Sequence, residues 1–277
     1  MKGTAKVNYL NREGLVHHNT PVADWSFVYE QSTVRDPKWN IGDRVVTPDG
    51  KVFRYCKSGG ACWTGRGAAF YNAIPATGID YSLLVNAQAI GDKEVTMTNQ
   101  GTCAITQDEL RGGHIIIKTA AGSDDSALQQ RGIIGNSADA SVGHNGTVTI
   151  YLDAPLTGAL TAASYAFCMP SPYNNIINAE TIGNSAGAYS IAGIPAVYVS
   201  AASVYFWVQT WGLTWIAPQG NLGASDNKRQ MVFRWDGSVG PHDDSDANEE
   251  YQQHAGFVVD NNLAGNGATL MMLQVSI

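Results

Sequence analysis

The sequence predicts an all-β protein: two β-sandwich or barrel-like units with short helical turns, preceded by an extended N-terminal arm. Three observations predict it. Runs of β-branched and aromatic residues recur roughly every ten residues, with Gly, Asn and Pro between them. No segment keeps a 3.6-residue apolar period for three turns. The most aromatic run, VYFWVQTWGLTWI (204–216), is made of strand-formers and contains a Gly that would weaken a helix. The expected organisation is an arm over 1–40, a β-rich domain over 41–175 and a second over 176–277. PSPYNN (170–175) is the expected joint.

Residues 1–40 mix Asn, His, Pro and lone aromatics without a period. Such a segment is either ordered by what it lies on or is a loose terminus. IGDRVVTPDGKVFRYC (41–56) reads as a hairpin, with Pro48-Asp49-Gly50 as the turn. Its second strand sets Val52, Arg54 and Cys56 on one face and Phe53 and Tyr55 on the other. KSGGACWTGRGAAF (57–70) reads as a Gly-rich loop. Strands are expected over 94–98, 102–106, 114–118, 147–153 and 164–169. The β-branched run HIIIK (114–118) reads as a buried strand. Thr106-Gln107-Asp108-Glu109 is a capping box before Leu110, so one helical turn is expected before Gly112-Gly113. Further strands are expected over 195–199, 204–216, 230–235 and 268–277. Ile-Gly-Asn-Ser-Ala occurs at 134–138 and again at 182–186, which suggests a repeated turn in two related units.

Bulk properties narrow the function. The chain has 277 residues, a formal charge of −7 and only 15% charged residues. Residues 221–277 hold eight acids against three bases, so a phosphate backbone is repelled and nucleic acid is not an expected partner. No apolar run is long enough to span a membrane, and MKGTAKVNYLNREGLVHHNT lacks the apolar core of a signal peptide. A cytoplasmically made protein is expected, with no membrane partner. Cys56, Cys62, Cys103 and Cys168 are then reduced and mostly buried. A Cys56–Cys62 bridge is the less favoured alternative.

Chemical motifs are weak. Gly183-Asn184-Ser185-Ala186-Gly187 spells an esterase nucleophile elbow, but NIINAETI (175–182) makes a poor buried strand and AYSIAG (188–193) is too short a helix. PHDDSDANEEYQQH (241–254) gathers His242, Asp243, Asp244, Asp246, Glu249, Glu250 and His254 without a calcium-loop spacing. It reads as a solvated acidic loop. His17-His18 and the cysteines lack zinc spacing. No phosphate-binding loop is present. The expectation is a protein that is not an enzyme, with no catalytic residue, cofactor or metal.

Trp207, Trp211 and Trp215 are spaced four apart, an even number that places them on one strand face with Tyr205, Gln209 and Leu213. A sugar platform wants acids and amides beside the rings, and Gln209 alone shares that face. Trp207, Trp211, Trp215 and Tyr205 are therefore expected in a core or an oligomer interface.

Several stretches resemble tailed-bacteriophage virion structural proteins, most of all the capsid decoration (cement) proteins of environmental phages. They are GDRVVTPDGKVFRYCKSGGA (42–61), EVTMTNQGTCAITQDELRGGHIIIKTAAGSD (94–124), GTVTIYLDAPLTGALTA (146–162), PSPYNNII (170–177) and AVYVSAASVYFWVQTWGLTWIAPQG (196–220). The resemblance covers about 41–220, is carried by turns and strand patterning, and brings no catalytic residue. It implies a homotrimer on the outer surface of the head, where it binds the major capsid protein. The alternative is a receptor- or glycan-binding tail or head-fibre module using the same tryptophans.

Overall fold

The computed structural model describes residues 25–71, 79–99, 104–118, 128–140, 146–182, 190–218, 229–242, 253–260 and 269–276. The fold is almost entirely β. The chain divides into two compact units: 1–71 with 173–277, and 72–172 between them. The expected 41–175 and 176–277 domains follow the chain in sequence, whereas the first unit here is discontinuous. The crossing at 172–173 lies inside the expected joint, and the crossing at 71–72 was given by no breaker signal.

In the first unit, β1 (Arg44–Val46) and β2 (Val52–Lys57) form the expected hairpin, with Val45 opposite Phe53 and Gly50 at φ +82° in the turn. β3 (Ala68–Phe70) follows within the segment read as a loop. After the intervening unit come β10 (Ile176–Asn178), a single helical turn α1 (Ala179–Ile182), β11 (Ile191–Pro195) and β12 (Tyr205–Ile216). The unit ends with β13 (Gln230–Phe233), β14 (Val239–Pro241), β15 (His254–Asp260) and β16 (Thr269–Gln274). The sheet runs β10-β3-β11-β12-β16-β15-β13-β14, with β2 also on β12 and β1 on β2, and curves into a half-barrel.

The long strand β12 is the hub. It pairs with β2 from Tyr205↔Lys57 to Trp211↔Val52, with β11 at Ile194↔Gln209, and with β16 from Trp211↔Gln274 to Ile216↔Thr269. Its strand-forming composition fits twelve paired residues. The expected strand over 195–199 is displaced: β11 covers Ile191–Pro195, and beyond it the Ala196 N–H still donates to the Trp207 carbonyl at 2.9 Å. NIINAETI (175–182) is a fully buried three-residue strand followed by α1, rather than one poor strand.

The N-terminal segment from Trp25 lies on this sheet. A 3₁₀ turn spans Ser26–Tyr29 and buries Val28. Ser32 exchanges backbone hydrogen bonds with Tyr205, at 2.9 and 2.7 Å. The Asp36 N–H donates to the Tyr55 hydroxyl at 3.1 Å. The reading of an arm ordered by its support holds for 25–40; residues 1–24 lie outside the described residues.

The chain leaves and re-enters this unit through one clasp. The Tyr71 N–H donates to the Asn175 carbonyl at 2.9 Å, and the Asn175 side-chain amide donates to the Tyr71 carbonyl at 2.8 Å.

The second unit holds β4 (Ile79–Leu83), β5 (Glu94–Asn99), β6 (His114–Lys118), β7 (Gln129–Asn136), β8 (Gly146–Leu152) and β9 (Tyr165–Met169). Their order is β4-β9-β6-β7-β8-β5, and a Leu84↔Met97 bridge brings the two ends together, so the sheet is a nearly closed barrel. Val95, Met97, Ile115, Ile117, Val148, Ile150 and Leu152 fill its interior. HIIIK is buried on one side only: Ile115 and Ile117 are buried while Ile116 is exposed. A small barrel needs apolar residues inside and not outside.

The Glu109 half of the capping box is present, without its helix. Glu109 Oε2 accepts from the Thr106 N–H at 2.8 Å and from its hydroxyl at 2.9 Å. Asp108 then turns to φ +60°, and residues 107–112 are turns. A left-handed residue stops an α-helix from continuing. Asn136 accepts the Leu110 N–H at 2.8 Å, so a side chain replaces the helical acceptor. Of the expected strand at 102–106, residues 102–103 lie outside the described residues, and Ile105 makes an isolated bridge to Asp139.

Candidate functional site

The tryptophan strand is not a flat row. One extra residue, Thr210, lies between the pairs Gln209↔Phe53 and Trp211↔Val52. Phe53 and Val52 are successive and lie on opposite faces of β2, so their partners do as well. Trp207 and Gln209 therefore share one face, and Trp211, Leu213 and Trp215 share the other. This corrects the expected single face for all three indoles. Spacing alone does not register a bulge, which reverses every side chain beyond it.

On the first face, Trp207 is 2% exposed. It meets Trp39 edge-on at 4.8 Å between ring centroids, Tyr55 at 5.1 Å and Phe27 at 5.7 Å. Tyr205 stacks on Tyr55 at 6.0 Å and is half-buried. Trp25, Phe27 and Trp39 come from the N-terminal segment, so aromatic packing is what holds 25–40 on the sheet.

The other face is buried at Phe206 and Val208 and opens to solvent beyond the bulge. Trp215 is 56% exposed, Leu213 46%, and Trp211 is half-buried. Opposite them on β16 stand Leu270, Met272 and Gln274, each partly buried. Phe257 on β15 continues the row through Met272, and Val259, in a second bulge beside Leu270, is exposed as well. The residues beneath turn the other way: Met271 and Leu273 are in the core with Ile216. Gln209 amide hydrogens donate to the carbonyls of Trp211 at 3.1 Å and Leu213 at 3.0 Å, where pairing to β2 ends. The Thr210 hydroxyl donates to the Ser276 carbonyl at 2.7 Å and fixes the bulge.

Reactive groups elsewhere are quiet. Arg66 donates to Asp236 at 3.1 Å and Glu180 at 3.3 Å, and lies over the Trp63 ring. This cluster braces the 59–67 loop against α1 and the turn after β13. Among the described residues no three His, Cys, Asp or Glu side chains converge on a metal position. Ser185, His17-His18, Cys103 and the acids from Asp243 to Glu250 lie outside the described residues, as does most of the second Ile-Gly-Asn-Ser-Ala copy.

The chain matches no protein-family model, no curated protein and no solved structure.

Cys56, Cys62 and Cys168 are free and buried. Burial pushes the Cys62 thiol up to about 12, and raises Cys56 and Cys168 as well. A raised value keeps the thiol protonated at neutral pH, and the protonated form is a poor nucleophile. Iodoacetamide at pH 7.5 is therefore expected to leave these three unmodified in the folded protein and to alkylate them all in guanidinium. Peptide mass spectrometry reads the difference.

The strongest functional feature is thus an apolar, solvent-facing sheet surface with Asp260 at its edge. Sequence reasoning singled out Trp211 and Trp215, set Leu213 on their face, and missed Leu270, Met272, Phe257 and Val259. The available signal was the run ATLMMLQVSI (268–277), apolar on both of its faces.

Proposed function

We propose that this chain is a structural protein of a tailed-phage virion that decorates the outer surface of the head. It binds the major capsid protein and itself, and it cements the lattice without catalysing a reaction. The observation that carries the adhesive part of this reading is the exposed face of β12, β16 and β15, where large apolar side chains stand together and the nearest charge in register, Asp260, ends the row beyond Leu270. Contiguous apolar patches beyond a few hundred Å² mark contact sites for other macromolecules. The resemblance over 41–220 supplies the class of partner. Low charge across the chain supports adhesion over chemistry.

Cementing acts by mass action. A protein that binds the expanded lattice and not the contracted one stabilises the former by about 2.7 kcal/mol per site at a hundred times its Kd. Purified protein is expected to bind expanded heads at fixed stoichiometry and to raise the temperature at which they release DNA. Absence from purified virions, together with no binding to expanded heads, refutes the proposal.

The exposed indole of Trp215 favours a second reading, a glycan-binding fibre module. Its neighbours Leu213 and Leu270 offer no partners for sugar hydroxyls, so this reading ranks second. Saturable binding to host polysaccharide that is lost in a folded Trp215→Ala variant would move it to first place.

A further inference from the structure

We propose that the β12–β16–β15 face is the site at which a second copy of this chain docks, sheet against sheet. The inference deepens the adhesive reading above and rests on it for its setting.

The face is built as two adjacent rungs. Leu213, Met272 and Phe257 lie in register across three strands, and Trp215 and Leu270 lie in register beside them. With Val259, their exposed surface is on the order of 400 Å², the upper end of what a monomer leaves uncovered. A stable contact buries about 800 Å² per partner, with an apolar centre and a polar rim. The face therefore supplies the centre, and the rim is at hand. Asp260 pairs opposite Leu270, Gln274 opposite Trp211, and the exposed Gln230 opposite Phe257.

Charge selects the occupant. The chain carries −7, so two copies approach best through surface that bears no charge, and this face bears none at its centre. A partner recognised by opposite charge would need charged residues here. Apolar ridges on a pleated surface can interdigitate with an identical set at the spacing of stacked sheets, about 10 Å. A patch that meets its own copy gives a two-fold pair, whereas a trimer needs this face to meet a different one. Trp207 and Tyr205 are spent on the aromatic cluster of their own chain and take no part.

Light scattering on the full-length chain, coupled to size-exclusion chromatography, tests this. The wild type is expected at twice its 29.5 kDa chain mass at tens of micromolar. Trp215→Arg and Phe257→Glu, on different strands, should each halve that mass, while Tyr198→Arg, at an exposed site off the face, leaves it unchanged. A measurement without charged substitutions guards against misfolding. The difference in acrylamide quenching between wild type and Trp215→Phe reports the Trp215 indole, and it should shrink as concentration rises. A monomeric wild type at these concentrations, or an oligomer that survives both charged variants, overturns the inference. The decoration reading fails separately: a monomer that still coats expanded heads sinks only the pairing, and a pair missing from virions sinks only the decoration.

Discussion

Trp207→Ala is expected to lower the stability of the first unit by about 3–5 kcal/mol, the range for removing a fully buried large aromatic. Trp207 is 2% exposed and is the ring on which Trp39, Tyr55 and Phe27 converge. The loss has two parts. The sheet loses buried area, and the N-terminal segment loses the surface that ties it down. Ser32 would retain its bonds to Tyr205, but the aromatic contacts of Phe27 and Trp39 would be incomplete. Urea denaturation should show the drop in midpoint, and limited proteolysis should show new cleavage between 25 and 40. Trp215→Ala, exposed on the face opposite Trp207, should shift the midpoint of the isolated chain by less than about 0.5 kcal/mol. Equal effects at 207 and 215 would contradict the two-faced strand.

Gly256→Ala is the second large effect, expected near 3–5 kcal/mol. Gly256 has φ +136°, where a side chain is strained, and a Cβ there would fall on the Met272 carbonyl oxygen. Strain of this kind costs about 1–3 kcal/mol and overpacking against backbone about as much again. The backbone of β15 and β16 must separate to relieve the clash, and Gly256 is paired to Leu273 in the core of the unit. Gly50→Ala provides the control. Its φ is +82° and nothing lies within 4 Å of the added atom, so it should cost only the conformational strain, about 1–2 kcal/mol. Denaturation midpoints of the two variants separate close contact from dihedral strain.

Much of the fold was legible from pattern. The 41–56 hairpin, β5, β8, β9, β12, β13 and β16 stand where strand-formers alternate between turn residues. The elements that were not legible share physical causes. β7 carries Gly132 and Gly135, which read as turn chemistry, yet the positions those glycines face are occupied by Asp153 and Asp108 side chains. β3 has only three residues and follows a Gly-rich stretch. β10 and β11 are short and buried on both sides, so they show no alternation. The site was half legible. Aromatic density marked β12, but which face each indole occupies depends on one inserted residue, and its effect is visible only against the register of β2. Phe257 and Val259 could not be linked to Trp215 from sequence, because β15 reaches them only through β16.

The clasp between Tyr71 and Asn175 has a consequence for how such a chain can change. Both ends of the intervening barrel are anchored a hydrogen bond apart on the host, so the gap the host must bridge is independent of what lies between. Domain insertions succeed at sites of this kind. The barrel is thus a replaceable cassette: it can be enlarged, trimmed or exchanged for another module while the half-barrel keeps its strand order and its adhesive face.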